Sequence, residues 1–478
     1  MIDVVLVKPP LSAEVLYGEL SGIGAYEAPL GLAYLAASLT ENNITVEIID
    51  GNITKLPLQQ LVGRIIEKKP TYVGISAVTL EIYSAAKLAL LIKEKNPAII
   101  TILGGVHLTA DPVETMTGFP QFDVGVVGEG EATLVELIQA LNSKVDIKTI
   151  PGIVCRANDQ VQLSRPREPS RDLDSLPPPA WKLIPGFPES YSPPAYATFS
   201  NSSCSILTSR GCGHKCTFCF QGTMGRLLRF HTAEYVLNTI KHLYHEYGIR
   251  DFRIFDDQFL ADKKRTREIC DLLIKENLNI TFACMARINT INPEILQLLK
   301  RAGCRQISFG IESGSQRILD FIKKGIRLDE VYRAVKWTKE AGILTLGYFI
   351  LGFPTETEET IKETINFSCN LLLDDISFFF LTPFPGTEIY RTAESYGALN
   401  KDWGNMSLFT DPSFIPHGLT KEKLIYFRKK ALLKFYLRPR IIFSYMKRIK
   451  SLEQIKGLLG GVLAIVKLAV TQKKGPAQ

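Results

Sequence analysis

Three closely spaced cysteines are the strongest chemical signal in the sequence. Cys212, Cys216 and Cys219 have three and two residues between them. Thiolates at this spacing can bind one cuboidal iron–sulfur cluster from a single loop, and three ligands leave one iron of a four-iron cluster open to a small chelating molecule. The alternative is a zinc site with His214 as fourth ligand, but zinc commonly takes two separated ligand pairs and no second pair follows. The spacing therefore favours a [4Fe–4S] cluster.

The other six cysteines are scattered along the chain, as buried core residues usually are. They are Cys155, Cys204, Cys270, Cys284, Cys304 and Cys369. The sequence opens on Met1-Ile2-Asp3 and a short apolar strand, without the basic and apolar regions of a secretory signal. Clustered and scattered thiols without such a signal predict a reducing compartment, and the expected location is the cytoplasm.

The cysteine loop follows the first of six strand-like segments that alternate with helical ones. These segments span 206–208, 252–255, 280–283, 306–310, 344–351 and 376–381. In a barrel of alternating strands and helices, the catalytic residues gather at the carboxyl ends of the strands. Polar pairs such as Asp256-Asp257 and Glu312-Ser313 fall at such ends. We therefore predict an open, partial (β/α)6 barrel with the cysteines on its catalytic face.

The cysteine triplet after the first barrel strand, with an aromatic residue at Phe218, resembles the radical S-adenosylmethionine superfamily. The resemblance implies that the open iron binds the amino and carboxylate groups of S-adenosylmethionine, and that one electron from the cluster produces a 5′-deoxyadenosyl radical. It also implies contacts with this cofactor at further matching positions, although aspartates and glycines at strand ends also serve as caps and turns. These positions are Phe218, Asp256, Asp257, Gln258, Arg287, Glu312, Ser313 and Gly352.

Residues 1 to 140 carry a second series of Val- and Ile-rich strands and helices, which predicts a doubly wound parallel sheet of the flavodoxin-like kind. The strands are expected at 4–7, 46–49, 72–76, 99–103 and 123–127. Glycines follow several of these strands, where ligands of such sheets bind. An iron–sulfur domain like that of methylthiotransferases would need cysteines here, but the first cysteine is Cys155.

The order of these pieces resembles the cobalamin-binding radical subfamily. The resemblance implies that glycines admit the corrin and that Ser76 and Thr79 bond its nucleotide tail. The implied contacts are Pro10, Ser76, Thr79, Gly104, Gly105, His107, Gly128, Glu129 and Gly130. The Asp-x-His-x-x-Gly motif is absent, since Gly105 and Ala110 flank His107, so we expect no histidine ligand to cobalt. The alternative is a degenerate flavodoxin-like domain without a corrin.

The predicted organisation has four parts. They are a cobalamin-binding domain at 1–140, a proline-rich connector at 141–199, a radical core at 200–388 and a helical basic region at 389–478.

The C-terminal part of the chain is strongly basic. From Lys421 onward it contains fifteen Lys and Arg residues and two acidic residues, whereas the net charge of the whole chain is +7. No apolar run is long enough to cross a bilayer. The segment 455–470 is apolar enough to lie at a membrane surface, although basic helices packed on the barrel explain the pattern as well. Nucleic-acid binding is not expected, because no recognised fold accompanies the charge.

The pattern as a whole favours a cobalamin-dependent radical methyltransferase acting on an unactivated carbon of a hydrophobic small molecule. A flavodoxin or ferredoxin is the expected electron donor. The runner-up is an oxidative cyclase like the anaerobic magnesium-protoporphyrin ester cyclase, in which no methyl group moves. A non-catalytic corrin or redox sensor is a third hypothesis, and the intact cysteine loop argues against it.

Overall fold

The computed structural model describes residues 2–18, 21, 26–157, 160–191 and 202–448. Its first sheet has seven strands in the order β2-β1-β3-β4-β5-β6-β7, of which β1 to β5 are parallel. The parallel strands are buried on both faces, which is why their sequences are nearly continuous Val and Ile. The strands are β1 Val4–Lys8, β2 Val46–Asp50, β3 Tyr72–Ser76, β4 Ile100–Gly104, β5 Val124–Val126, β6 Ile153–Ala157 and β7 Gln160–Leu163.

Helices cover both faces of this sheet, so the predicted doubly wound architecture is confirmed. Val4 and Leu6 pack with one group of helices that includes α2 and α8, while Val5 and Val7 pack with α4 and α5 on the opposite face. The helices are α1 Ala13–Tyr17, α2 Leu30–Glu41, α3 Gly51–Thr54, α4 Leu58–Glu67, α5 Ile82–Lys95, α6 Val106–Ala110, α7 Pro112–Gly118 and α8 Glu131–Asn142.

The first sheet extends beyond residue 140, into the segment predicted to be a connector. Strand β6 pairs antiparallel with β5, and β7 pairs antiparallel with β6. The sequence hides this hairpin for two reasons. Strand β7 is an edge strand whose side chains are mostly exposed, so it lacks an apolar signature. The prolines that follow, from Pro177 onward, dominate the pattern of the whole segment.

The second sheet contains six parallel strands in the order β15-β14-β13-β12-β11-β8, and this confirms the predicted partial barrel. Its edges are β8 and β15. The strands are β8 Ser203–Ile206, β11 Asp251–Ile254, β12 Thr281–Ala286, β13 Cys304–Glu312, β14 Leu344–Leu351 and β15 Asp375–Phe380. The helices between them are α9 Ala233–Tyr247, α10 Lys263–Glu276, α11 Pro293–Arg301, α12 Gln316–Phe321, α13 Leu328–Glu340 and α14 Glu358–Asn370. A short antiparallel pair, β9 Ser209–Arg210 and β10 Arg229–Phe230, follows β8.

The region after the barrel was expected to be mainly helical, but it also contains an antiparallel strand pair. Strands β16 Gly397–Leu399 and β17 Phe414–Pro416 pair, and helices α15 Glu388–Thr392, α16 Lys421–Tyr436 and α17 Pro439–Arg448 complete the region. The tyrosine hydroxyl of Tyr436 donates to the carbonyl of Ile376 at 2.8 Å and so joins α16 to the barrel. Within the described ranges, no helix has the length and apolar character needed to cross a membrane. The predicted surface segment 455–470 lies outside the described residues.

Candidate active site

The cysteines lie on a loop whose two ends are tied together by β9 and β10. Arg210 and Arg229 are direct partners in this short antiparallel pair, so the loop between them starts and ends at one place. Gly211 has φ +89°, and a β-carbon there would lie 2.2 Å from the carbonyl oxygen of Leu227. Only glycine permits this close approach of the two loop ends. The fold therefore presents all three cysteines from one closed loop at the carboxyl end of β8.

The three thiols differ in exposure. Cys212 is buried, Cys216 is half-buried, and Cys219 and nearby Asp257 are on the surface, where surrounding protein atoms still reduce their solvation. Burial raises the pKa of Cys212, and burial followed by the negative charge of Asp257 raises that of Cys219 to about 12. Thiolates in such a place need positive partners. Arg287 supplies one, with its Nη1 atom 3.7 Å from Cys216 Sγ.

The donor set fits a cluster better than a single ion. Among the residues that the structure describes, no group of three His, Cys, Asp or Glu side chains converges to hold one metal ion. A [4Fe–4S] cluster does not require convergence, because each thiolate binds a different iron. The side chain of His214, the alternative zinc ligand, hydrogen-bonds with Gln258.

Two adjacent aspartates after β11 have different roles. Asp256 is fully buried and accepts hydrogen bonds from Thr208 N at 2.6 Å, Thr208 Oγ1 at 2.5 Å and Ser209 Oγ at 2.7 Å. It thereby anchors the start of the cysteine loop to the neighbouring strand. Burial raises the pKa of both carboxyls, and the charge of Asp256 adds to the effect on Asp257. Of the pair, Asp257 is the one available to a ligand.

Glu312 forms a buried ion pair that the sequence did not reveal. Its carboxylate accepts from Lys324 Nζ at 2.6 Å, and the backbone at Glu312 has φ +68°. A β-carbon at Gly310 would lie 2.4 Å from Glu312 Oε1, so glycine is required for the carboxylate to fold back. The ammonium of Lys324 is 5.8 Å from the Phe218 ring centre, and Arg287 donates to the carbonyl of Lys324. These contacts join Glu312 to the cysteine loop.

Two other residues that were predicted to contact the cofactor, Ser313 and Gly352, form hydrogen bonds within their own loops or to neighbouring helices in this structure. Ser313 is buried, with its hydroxyl 3.1 Å from Thr364 Oγ1 and accepting from Ser315 N. Gly352 has φ +94° and donates its N–H to the buried carboxyl group of Glu356. A direct cofactor contact at Ser313 or Gly352 stays a prediction.

The carboxyl edge of the first sheet forms a second polar site. Gly105 has φ +100°, and a β-carbon there would lie 2.6 Å from the carbonyl of Ala77, so the backbones of the loops after β3 and β4 touch. His107 is fully buried, and its Nδ1 is 3.2 Å from Thr79 Oγ1. Its ring packs edge to face with that of Trp403, with 4.6 Å between the ring centres. Burial lowers its pKa to about 4.

These features fit a corrin with an extended nucleotide tail. The Nε2 atom of His107 is buried and has no hydrogen-bond partner among the described residues, so a bound polar group can satisfy it. Ser76 lies at the end of β3, and Pro10 follows β1, with its carbonyl accepting from Ser84 Oγ at 2.8 Å. Gly104 ends β4 at the same edge of the sheet.

The Gly128–Glu131 loop connects this edge to the cysteine loop. In the structure the carboxylate of Glu129 binds Arg210 Nη1 at 3.0 Å and also pairs with Arg229, and a contact between Glu129 and cobalamin stays a prediction. Glu131 binds Arg210 Nη2 at 2.7 Å. These partners are distant in sequence, so no local pattern identified Arg210, Arg229 or Glu131. Gly128 and Gly130 flank Glu129, and Gly128 has φ +82°.

Comparison with known proteins identifies two domain types in the chain. A Radical SAM superfamily model matches residues 206–368, and a B12 binding domain model matches residues 21–138. The chain is 34% identical to an uncharacterized methyltransferase of Pyrococcus horikoshii over 93% of this chain and 94% of that protein. It is 28% identical to the anaerobic magnesium-protoporphyrin IX monomethyl ester cyclase of Rubrivivax gelatinosus, over 93% of this chain and 80% of the cyclase.

A solved structure shares the architecture. The cobalamin-dependent S-adenosylmethionine radical enzyme OxsB, with aqua-cobalamin and S-adenosylmethionine bound, superposes with a TM-score of 0.73 at 17% identity. The match covers 98% of this chain and 72% of OxsB. The two domain types imply a [4Fe–4S] cluster, S-adenosylmethionine and cobalamin as cofactors. The chain belongs to the cobalamin-binding radical S-adenosylmethionine enzymes, a family that includes methyltransferases and the magnesium-protoporphyrin cyclases.

Proposed function

We propose that the protein transfers a methyl group to an unactivated carbon of a hydrophobic small molecule. The observation that carries this proposal is the direct contact between the two cofactor regions. Arg210, two residues before Cys212, is bonded to Glu129 and Glu131 of the cobalamin-binding domain. When bound, the cluster supplies the electron that cleaves S-adenosylmethionine, and cobalamin carries the methyl group. A substrate held between the two regions can meet both.

The residues of the chain have separate tasks in this proposal. Cys212, Cys216 and Cys219 hold the cluster, and Arg287 places a positive charge beside Cys216. Asp257 and the Glu312–Lys324 pair lie close to the cysteine loop, where opposite charges can bind the ammonium and carboxylate of S-adenosylmethionine. His107 and Thr79 offer polar atoms to the corrin tail.

The test follows the methyl group. Anaerobically reconstituted protein with cobalamin, a chemical reductant and methyl-labelled S-adenosylmethionine is incubated with a small-molecule extract of the source cells. The proposal predicts label in an extract component that is absent with the Cys216→Ala protein. Formation of 5′-deoxyadenosine with a new product that carries no label would instead support cyclisation, which the similarity to the cyclase keeps as the second candidate.

Two partners complete the proposal. A flavodoxin or ferredoxin delivers the electron, and substituting either for the chemical reductant tests this directly.

The basic C-terminal helices contact a membrane surface. Leu437, Ile442 and Met446 are 61%, 47% and 62% exposed, and Lys430 is an exposed cation on α16. Arg438 and Arg440, which lie among these apolar residues in the sequence, donate to the carbonyls of Cys369 and Leu371. Cosedimentation with anionic vesicles but not with neutral ones is expected, and equal recovery with both would contradict it.

A further inference from the structure

The region after the barrel returns to the first domain and becomes part of its core. Trp403 and Met406 are 9% and 1% exposed, and both pack in the same apolar cluster as Ile75 of β3, Leu103 of β4 and Met116 of α7. Both side chains come from outside residues 1–140, to which the cobalamin-binding domain was assigned. One face of that domain is therefore completed by a segment that follows the barrel.

The turn that carries Trp403, residues 402–405, is held in shape by its own polar groups, and we call it the tryptophan turn. The Asp402 carboxylate accepts hydrogen bonds from Gly404 N at 3.0 Å and from Asn405 Nδ2 at 2.7 Å. Gly404 lies against α5, since a β-carbon there would be 3.3 Å from two ring atoms of Tyr83. Asp402 and Asn405 are exposed, whereas Trp403 is buried. The turn is thus a surface element anchored by one large side chain.

Trp403 lies over His107, at the carboxyl edge of the first sheet. The two ring centres are 4.6 Å apart, and the Trp403 ring is also 6.0 Å from that of Phe119 and 6.4 Å from that of Tyr83. The Nε2 atom of His107 is buried and has no hydrogen-bond partner in the part of the chain that the structure describes. A buried polar atom without a partner indicates a place for a polar group of a ligand. Such a group would bind beside Trp403.

The tryptophan turn can open at lower cost than the sheet beneath it. Stability is not uniform across a domain, and segments with exposed polar residues and few buried apolar groups open before the core strands do. In this turn Trp403 is the buried side chain, and an indole buries a large apolar area. Removal of the indole therefore weakens the attachment of the turn and uncovers His107.

We propose that the tryptophan turn forms the outer wall of the site for the nucleotide tail of cobalamin, and that Trp403 slows the release of this cofactor. Release then requires the turn to open. The region after the barrel thereby supplies a binding residue to a site whose other predicted contacts lie within residues 1–140. Retention of the cofactor is needed for methyl transfer and for cyclisation alike, so this inference goes beyond the proposed function.

Release of cobalamin and of cobinamide, which is the same corrin without the nucleotide tail, tests the inference. The anaerobic protein is loaded with either radiolabelled corrin and chased with a large excess of the unlabelled one, and the label retained on gel filtration gives the release rate. We expect Trp403→Ala to release cobalamin about tenfold faster, because an aromatic wall is lost. Its release of cobinamide should equal that of the unsubstituted protein. Trp403→Phe keeps a ring and should release cobalamin at an intermediate rate.

Two further variants separate the turn from the stability of the domain. Asp402→Ala removes the carboxylate that shapes the turn but leaves the apolar core intact, so it should also speed cobalamin release, by a smaller factor. Ile92→Ala is the matched control. Ile92 is fully buried in the same apolar cluster as Trp403, but it lies in the last turn of α5, away from the carboxyl edge of the sheet. This variant should lower the melting temperature without changing the release rate.

Several outcomes would overturn the inference. One is an unchanged release of cobalamin from both Trp403→Ala and Asp402→Ala. Another is an equal acceleration of cobalamin and cobinamide release by Trp403→Ala, which would show that the indole does not act on the tail. A third is an acceleration by Ile92→Ala as large as that by Trp403→Ala, which would reduce the effect to a loss of stability. Failure of the folded, unsubstituted protein to retain cobalamin would also overturn it.

Discussion

The Glu129 carboxylate of the cobalamin-binding domain lies 3.0 Å from the Arg210 guanidinium of the radical domain, two residues before Cys212, the first cysteine of the loop. The same carboxylate pairs with Arg229, where the cysteine loop ends. Arg210 and Arg229 are 3% and 2% exposed, so this is a buried network between domains. One carboxylate thus holds both ends of the cysteine loop against the loop that follows β5. The position of the cysteine loop is tied to the cobalamin-binding domain through this contact.

Replacing Glu129 with Gln should loosen the cysteine loop and destabilise the protein. Removing one partner of a buried ion pair costs about 3–5 kcal/mol, and the lower end applies because Glu131 still pairs with Arg210. The melting temperature should fall, and an iron chelator should extract the cluster faster. Glu136→Gln is the matched control, because its partner Arg167 forms an exposed pair worth about 0–1 kcal/mol. Equal rates of iron extraction by the chelator from both variants would show that Glu129 does not hold the cysteine loop in place.

Cys216→Ala should remove the cluster and abolish reductive cleavage of S-adenosylmethionine to 5′-deoxyadenosine. Its thiol lies beside Arg287 within the loop and binds one of the three protein-held irons in the proposed site. Iron and sulfide analysis after anaerobic reconstitution, with chromatography of the nucleoside, measures both effects. Cys369→Ala, outside the loop, should behave as the unsubstituted protein. Stoichiometric zinc without iron in protein purified under nitrogen would contradict the assignment.

Cobalamin should bind without a protein imidazole on cobalt. His107 is neutral, fully buried and bonded to Thr79, and it packs on Trp403, so its ring is fixed within the domain. The Co(II) spectrum of the loaded protein should lack hyperfine splitting from a histidine nitrogen. His107→Ala should weaken corrin retention on gel filtration while leaving that spectrum unchanged. Loss of a nitrogen splitting in the variant would show instead that His107 is the ligand.

The sequence predicts the architecture well because strand and helix patterns are local. Strands β3 and β14 have the predicted limits, and the other predicted strands lie within a few residues of the observed ones. The site is less predictable, because its contacts join distant positions. Glu129 follows a strand next to glycines, which indicates a ligand loop, yet its partners are Arg210 and Arg229. Lys324, the partner of Glu312, occupies a loop without any distinguishing pattern.

Stability should depend on pH through Glu356. Burial raises the pKa of this carboxyl from about 4.5 to about 8, although its Oε2 accepts from the backbone N–H groups of Gly352 and Phe353. The folded state then holds a proton that the unfolded state releases between these values, so stability falls as pH rises from about 4.5 to about 8. The total effect is roughly 3 to 5 kcal/mol. Glu356→Gln cannot titrate, so its melting temperature should change less over pH 5 to 8. If the melting temperatures of the unsubstituted protein and of Glu356→Gln changed equally with pH, the raised pKa of Glu356 would be disproved.

Glu312 has two candidate roles, and a single substitution distinguishes ligand binding from a structural role. One interpretation is that its carboxylate binds the ammonium or ribose of S-adenosylmethionine, and Glu312→Gln then weakens binding about tenfold to a hundredfold because a charge-assisted hydrogen bond is worth about 1.5–3 kcal/mol. The other is that Glu312 caps the helix beginning near Ser315. In the structure, Ser315 N instead donates to Ser313 Oγ, and Glu312 pairs with Lys324.

The ion pair gives the experiment a matched control. Lys324→Met also breaks the pair but leaves the carboxylate in place, so a purely structural role predicts losses of melting temperature and unchanged affinity in both variants. The binding role proposed for the Lys324 ammonium predicts instead that this variant also binds S-adenosylmethionine more weakly. A ligand role predicts that Glu312→Gln weakens S-adenosylmethionine binding while the cluster absorbance is retained. Isothermal titration and thermal unfolding on the same anaerobic samples measure both quantities. Because Glu312 and Lys324 are only 8% and 9% exposed, loss of stability is expected in each variant, and the affinity decides the assignment. An unchanged affinity in Glu312→Gln would remove this residue from the cofactor site.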